Sequence, residues 1–174
     1  MNSTLLPNPL AFLQDSRYSV EEVWSQSPER SLLLCRDSEQ NTEVVAAVFN
    51  ESLLTRGTCA RLLHDAQIRS KLSIPGLVPI QNHGRRGDEV FVIMPRLNGI
   101  RLDQYLSASR MPILEALDCI ISVLEVLQQL HQHGLLHGNI HPANVLLDPE
   151  RDSSVNVIGF GTAQRFYSDL LDSL

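Results

Sequence analysis

The chain has little lysine, few cysteines and no long apolar run. Of its 14 basic residues, 13 are arginine, so Lys71 is the single lysine in 174 residues. The net charge of −6, without any basic run, argues against a nucleic-acid-binding surface. Its three cysteines (Cys35, Cys59 and Cys119) match neither a disulfide framework nor a Cys-x-x-Cys zinc motif, which favours a reducing, cytoplasmic environment. No apolar run reaches the ~18 residues of a membrane helix, so we expect no membrane span.

The residues that are present have the composition of a globular protein, with 43% apolar and 20% charged residues. After a lead-in that Pro7 and Pro9 interrupt, strand-like and helix-like segments alternate along the chain. The pattern predicts strands over 18–25, 31–37, 42–49, 74–84, 88–99, 144–148 and 155–160, and helices over 55–72, 101–109 and 112–134.

This order of elements predicts an α+β fold, in which a small antiparallel sheet with one helix precedes a mainly helical part. We expect a flexible lead-in over 1–17, a first lobe over 18–98 and a second, partial lobe over 99–174.

The segment 112–134 predicts the longest helix, with Pro112 in its first turn and Gly134 at its end. Its polar residues form one narrow stripe, and most of the other positions are apolar. A helix of this kind has to be covered on most of its surface. We expect self-association or a protein partner over the apolar helix 112–133, unless the tail "FYSDLLDSL" covers it.

The stretch "HGNIHPANVLLD" (137–148) resembles the catalytic loop H-R-D-x-x-x-x-N of eukaryotic-like protein kinases, including bacterial Ser/Thr kinases. His137 matches the histidine, Asn139 stands at the position of the base, His141 replaces the loop lysine and Asn144 matches the asparagine. Gly159-Phe160-Gly161 falls where D-F-G belongs. The resemblance runs in order from Tyr18 to Phe166.

The first half resembles the nucleotide-binding lobe of the same family more weakly. "SQSPERSL" has the length of the Gly-rich loop, "VAAV" resembles the third-strand V-A-I-K, and "VIMPRLNG" resembles the segment between the lobes. Asp65 falls where the helix glutamate that pairs with the lysine is expected, and Arg69 where an apolar residue is usual. The resemblance implies a degenerate nucleotide cleft formed by Ser25, Ser27, Arg30, Leu32, Ala46, Val48, Met94 and Leu146.

The groups that carry phosphoryl transfer in the family are missing from the matched positions. Asn139 cannot accept a proton near neutral pH, Val48 replaces the phosphate-binding lysine, and Gly159 replaces the metal-binding aspartate. Asn144 retains one neutral oxygen, which is a poor ligand for Mg²⁺. We therefore predict no intact catalytic or metal site, no required cofactor, and ATP binding only as an alternative without Mg²⁺ dependence.

Four histidines, His131, His133, His137 and His141, cluster in sequence, but their spacing matches no common zinc site. We interpret them as loop and core residues.

The leading hypothesis is a truncated pseudokinase that acts as a protein-binding or regulatory signalling module. The alternatives are an atypical ATP-binding Ser/Thr kinase that a partner chain completes, and a kinase fragment without function.

Overall fold

The computed structural model describes residues 17–148 and 155–159. The chain divides into two compact units. The first comprises Met1–Lys71 with Pro79–Arg96, and the second comprises Leu72–Val78 with Leu97–Leu174. In the described residues of each unit, strands and helices occur in the order expected of the α+β class, which confirms that prediction.

The first unit contains a five-stranded antiparallel sheet with strand order β1-β2-β3-β5-β4. Its strands are rich in valine, leucine and alanine, which suit a sheet that is buried on both faces. Their bounds are β1 Tyr18–Gln26, β2 Arg30–Asp37, β3 Thr42–Asn50, β4 Asn82–Arg86 and β5 Glu89–Pro95.

The two faces of this sheet carry separate apolar clusters, because successive side chains of a strand point to opposite faces. One cluster consists of Tyr18, Leu33, Cys35, Val44, Ala46, Val48 and Ile93. The other joins the sheet to helix α1 (Arg56–Arg69) and consists of Ala47, Phe49, Cys59, Leu62 and Val90. Thr55 is the N-cap of α1, because its side-chain oxygen accepts a hydrogen bond from the Thr58 N–H.

The predicted strand over 74–84 is wrong over most of its length, because β4 begins only at Asn82. Pro75 and Pro79 have no N–H to donate to a ladder, and Gly76 has a φ of +76°. Residues 74–78 instead contact the second unit's small sheet through a bridge between Leu77 and Val157. The first helix is also shorter than predicted, because it ends at Arg69.

The second unit contains β6 Ile100–Arg101, α2 Leu102–Ala108, α3 Ile113–Gln132, β7 Val145–Leu147 and β8 Val155–Val157. The three short strands pair antiparallel in the order β6-β7-β8. Helix α3 packs on this sheet through Cys119, which lies in a cluster with Val145 and Val155. Among the described residues, no helix is long and apolar enough to cross a lipid bilayer.

Candidate functional site

The loop between α3 and β7 is built around the buried side chain of His137, which is 2% exposed. The Asn139 N–H donates to His137 Nδ1 at 3.3 Å, so Nδ1 carries no proton in this arrangement. The proton is then on Nε2, which lies 3.2 Å from the carbonyl oxygen of Ile158. His137 thus connects the loop to the segment before Gly159.

Asn144 is held by several contacts within the same loop. Its Nδ2 donates to the carbonyl oxygen of Asn139 at 2.9 Å and lies 2.9 Å from His141 Nε2. The backbone is engaged as well, because the Asn144 N–H donates to the His141 carbonyl and the Asn144 carbonyl accepts from the Ile158 N–H. Asn144 therefore acts as a positioning residue that fixes the loop against the strand that leads to Gly159.

The side chain of Asn144 lies directly over Gly159. A Cβ atom at position 159 would be 2.5 Å from Asn144 Oδ1 and 2.6 Å from its Cγ. Gly159 also has a backbone φ of +76°, a conformation that residues other than glycine rarely adopt. Position 159 therefore accepts only glycine unless Asn144 moves.

This arrangement does not fit a divalent cation of the kind that phosphoryl transfer requires. Mg²⁺ takes an octahedral shell of oxygens and is normally bound through one or two carboxylates. Asn144 offers one neutral oxygen, and Gly159 has no side chain. Within 17–148 and 155–159, no group of three or more His, Cys, Asp or Glu residues could hold a metal ion.

The segment that matches the Gly-rich loop forms a tight turn between β1 and β2. The Ser27 N–H donates to the Arg30 carbonyl at 2.8 Å, and the Arg30 N–H donates to Ser27 Oγ at 3.1 Å. These two backbone donors are engaged within the turn. Ser25 lies in β1 and pairs with Leu32 of β2. At the start of β2, burial lowers the pKa of the Arg30 guanidinium below its usual value.

The structure does not bring all the predicted cleft residues to one face of the sheet. Ala46 and Val48 lie in one cluster, whereas Leu32 and Met94 pack against the cluster on the α1 side. Leu33 pairs with Ala46 and shares its face. When the loop is aligned by the spacing of its glycine positions, Leu32 takes the valine position of the cleft. The alternation of side chains along β2 instead places Leu33 on the face that carries Ala46.

Val48 is an apolar core residue that is 3% exposed. Its side chain has no polar or charged group that could bind a phosphate. Asp65 lies on α1 and forms an ion pair with Arg61, with 3.8 Å between Arg61 Nε and Asp65 Oδ2. Burial raises the pKa of Asp65, and Arg61, His64 and Arg69 oppose that rise. The i, i+4 spacing of Arg61 and Asp65 is the signal in the sequence that indicates this contact.

The other predicted positions are separate from this loop or lie outside the described residues. Leu146 is a buried residue of β7, 9% exposed, and pairs with Arg101. His131 and His133 are exposed at the end of α3, where the His133 ring bonds the Gln129 carbonyl. Phe160 and Gly161 lie outside the described residues.

A family model described as the protein kinase domain matches residues 31–173. The chain belongs to this family. The resemblance seen in the loop residues is therefore confirmed at the level of ancestry and fold.

Relatives of this kinase family member include bacterial and plant proteins. It is 29% identical over 154 residues to the serine/threonine-protein kinase PrkC of Bacillus subtilis, covering 84% of this chain and 23% of that protein. It is 30% identical over 127 residues to the probable inactive L-type lectin-domain containing receptor kinase III.1 of Arabidopsis thaliana, covering 70% of this chain and 20% of that protein.

The fold is similar to that of solved kinase domains. The kinase domain of PknI from Mycobacterium tuberculosis superimposes with a TM-score of 0.71 at 21% identity, covering 84% of this chain and 60% of that one. This kinase-family chain thus spans about three fifths of that solved domain and a smaller share of the curated relatives.

Proposed function

We propose that this chain is a catalytically inactive protein kinase-like domain that acts as a protein-binding or regulatory signalling module. The observation that carries the proposal is the contact between Asn144 and Gly159. With Asn144 Oδ1 at 2.5 Å from the Cβ position of residue 159, an aspartate at this position would require the Asn144 side chain to move. A side chain that would hold the metal is absent, and its place is occupied.

Two further observations support the same proposal. Val48 is buried among apolar residues and offers no charge to a phosphate. Asn139 has no basic side chain, and its N–H and carbonyl are engaged by His137 and Asn144. Loss of a general base alone lowers rates by ~10²–10⁴. Missing charge stabilisation adds a factor of similar or larger size.

The proposal includes a cytoplasmic location and no required cofactor, with ATP binding that is independent of Mg²⁺ as the alternative. Cys35, Cys59 and Cys119 are free thiols buried in the described structure, as expected of a protein from a reducing compartment. If ATP binds, Mg²⁺ should not change its affinity, because the loop has no carboxylate for the ion.

The test is a titration of the purified chain with ATP, with and without Mg²⁺, that follows melting temperature and phosphate transfer to a generic protein substrate. We expect no transfer and no Mg²⁺-dependent stabilisation. A nucleotide at 100 times its Kd would stabilise the folded chain by about 2.7 kcal/mol, which a melting curve detects readily.

The variants Asn139→Ala and Asn144→Ala serve as controls for trace kinase contamination. Transfer that persists equally in both variants comes from a contaminant. Transfer that either variant abolishes contradicts the proposal and favours the atypical active kinase. Stabilisation by ATP alone, equal with and without Mg²⁺, supports an inactive nucleotide-sensing module.

A further inference from the structure

One exposed asparagine is followed by a glycine just before β6 of the second unit. Asn98 and Gly99 lie outside the helices and strands, and both residues are exposed. They form the single Asn-Gly pair in the sequence. Because glycine has no Cβ atom to shield its nitrogen, an asparagine side chain can approach the next backbone nitrogen most closely in such a pair. The side-chain amide of Asn98 is therefore open to attack by its own backbone.

The side chain of Asn98 is not held in place by its neighbours. It takes part in no hydrogen bond among the described residues. Other asparagines are held, since Asn50 Oδ1 accepts from the Ser52 N–H at 3.0 Å and Asn82 Nδ2 donates to Tyr18 Oη at 3.1 Å. An amide that is held in this way has to break its hydrogen bond before it can rotate onto the backbone. Asn98 has no such contact to break.

The glycine of the pair is required by the packing of the second unit. A Cβ atom at position 99 would lie 2.8 Å from the carbonyl oxygen of Leu147 and 3.3 Å from Leu146 Cβ. The oxygen belongs to the backbone of β7, which pairs with β6, so no side-chain rotation relieves the contact. The fold thus keeps the unshielded nitrogen of Gly99 beside the exposed side chain of Asn98.

We propose that Asn98 is a site of spontaneous deamidation, and that its isoaspartyl product loosens the pairing of β6 with β7. The Gly99 backbone nitrogen gives up its proton and bonds to Asn98 Cγ, and the side-chain nitrogen leaves as ammonia. The product is a cyclic succinimide. Water opens this ring at Cγ to give aspartate, or at the main-chain carbonyl carbon to give isoaspartate. The net reaction consumes water and releases ammonia, and the nucleophile is already held beside the amide in the same chain.

The isoaspartyl product alters the backbone itself, because the chain then runs through Cγ and gains a methylene group. This change comes directly before β6, which consists only of Ile100–Arg101 and pairs with Leu147 and Leu146. So short a strand has few ladder hydrogen bonds with which to resist a displacement. Since β7 begins directly after Asn144, the loosened pairing also weakens a support of the candidate loop.

The test incubates the full folded chain at mildly alkaline pH in heavy-oxygen water and follows the conversion by mass spectrometry after trypsin digestion in ordinary water. Conversion during the incubation incorporates heavy oxygen, whereas conversion during digestion does not. Cleavage at arginine places Asn98 in peptide 97–101, and the comparison residues Asn41 and Asn50 in peptide 37–56. We expect Asn98 to convert about tenfold faster than either, because a side chain on the next residue shields the nitrogen there.

The matched variant is Asn98→Gln, whose longer side chain forms the corresponding ring far more slowly, so conversion at this position should be lost. The same natural chain unfolded in urea gives the rate that the sequence alone sets. We expect the rate in the folded chain to lie within about tenfold of it, because the segment is exposed. The inference is overturned if Asn98 converts no faster than Asn41, or if folding slows its conversion by more than about tenfold.

Hydrogen exchange tests the effect on β6 and β7. The isoaspartyl fraction of the aged chain is compared with Asn98→Asp, which adds the same charge without the extra methylene group. We expect the backbone amides of β7 to exchange about tenfold faster in the isoaspartyl fraction alone, while those of β2 in the first unit are unchanged. Equal exchange of β7 in the isoaspartyl chain and in Asn98→Asp would overturn the proposed loosening.

Discussion

At the scale of single residues, the contact between Asn144 and Gly159 is the feature that distinguishes this loop from a catalytic one. We predict that Gly159→Ala lowers the free energy of unfolding by about 2–4 kcal/mol. A positive φ costs a residue with a Cβ about 1–2 kcal/mol, and overpacking against a fixed neighbour adds about 1–3 kcal/mol. Urea denaturation measures the change.

A double-mutant cycle separates the two causes. In an Asn144→Ala background, the cost of Gly159→Ala should fall to the backbone share of about 1–2 kcal/mol. Gly138→Ala is the matched control, because Gly138 has a φ of +71° and nothing within 4 Å of its Cβ position. Equal costs for Gly159→Ala and Gly138→Ala in the natural background would contradict the steric interpretation.

Arg69 is a second residue whose environment conflicts with its charge, since it lies on the buried side of α1 and is only 2% exposed. Burial lowers the pKa of its guanidinium to about 10, and the charge of Asp65 opposes that shift. We predict that Arg69→Met raises the free energy of unfolding at pH 7 by about 1–2 kcal/mol, because methionine fills the site without a charge to desolvate.

The difference should shrink as the pH rises through 10. In the folded chain Arg69 loses its proton near pH 10, whereas in the unfolded chain it stays protonated to a higher pH. The burial penalty is therefore complete below pH 10 and decreases above it. Urea denaturation of both proteins at pH 7, 9 and 10.5 measures this, and a difference that widens above pH 10 would contradict the assignment.

At the scale of elements, the existence of strands and helices was largely predictable and their registers were not. The short apolar runs in "SLLLCRD" and "TEVVAAVF" predicted β2 and β3 within one residue of their observed ends. The stop at Gly134, with a φ of +70°, followed from the preference of glycine for that conformation. Local patterns of this kind carry the information that fixes an element.

The errors arose where tertiary contacts override local pattern. Residues 74–81 are apolar enough for a strand, but two prolines interrupt them and Leu77 pairs with Val157, which is distant in sequence. Helix α3 exposes apolar residues such as Ile113 and Leu114 in the described structure, and the prediction that self-association or a partner covers them stays a prediction. For the candidate site, the sequence located the lost charges, and only the structure showed Asn144 lying over Gly159.

At the scale of the whole molecule, the two compact units bury their cysteines to similar degrees in different surroundings. Cys35 and Cys59, in the first unit, are 0% exposed and lie in the two clusters on either face of the sheet. Cys119, in the second unit, is 5% exposed and lies on α3, of which only three residues are buried. Burial raises the pKa of all three thiols, and that of Cys35 to about 11.

We predict that Cys119 is alkylated at a lower urea concentration than Cys35 and Cys59. Each thiol has to leave its cluster before it can react, because the thiolate is the reactive form and burial disfavours it. A helix with few buried residues opens at lower free energy than a sheet packed on both faces. Pulse labelling with iodoacetamide over a urea series, followed by mass spectrometry of the three cysteine peptides, measures each midpoint.

Rates in fully unfolding urea normalise the three thiols for their intrinsic reactivity. Coincident midpoints would contradict the prediction, because they would mean that the units open as one.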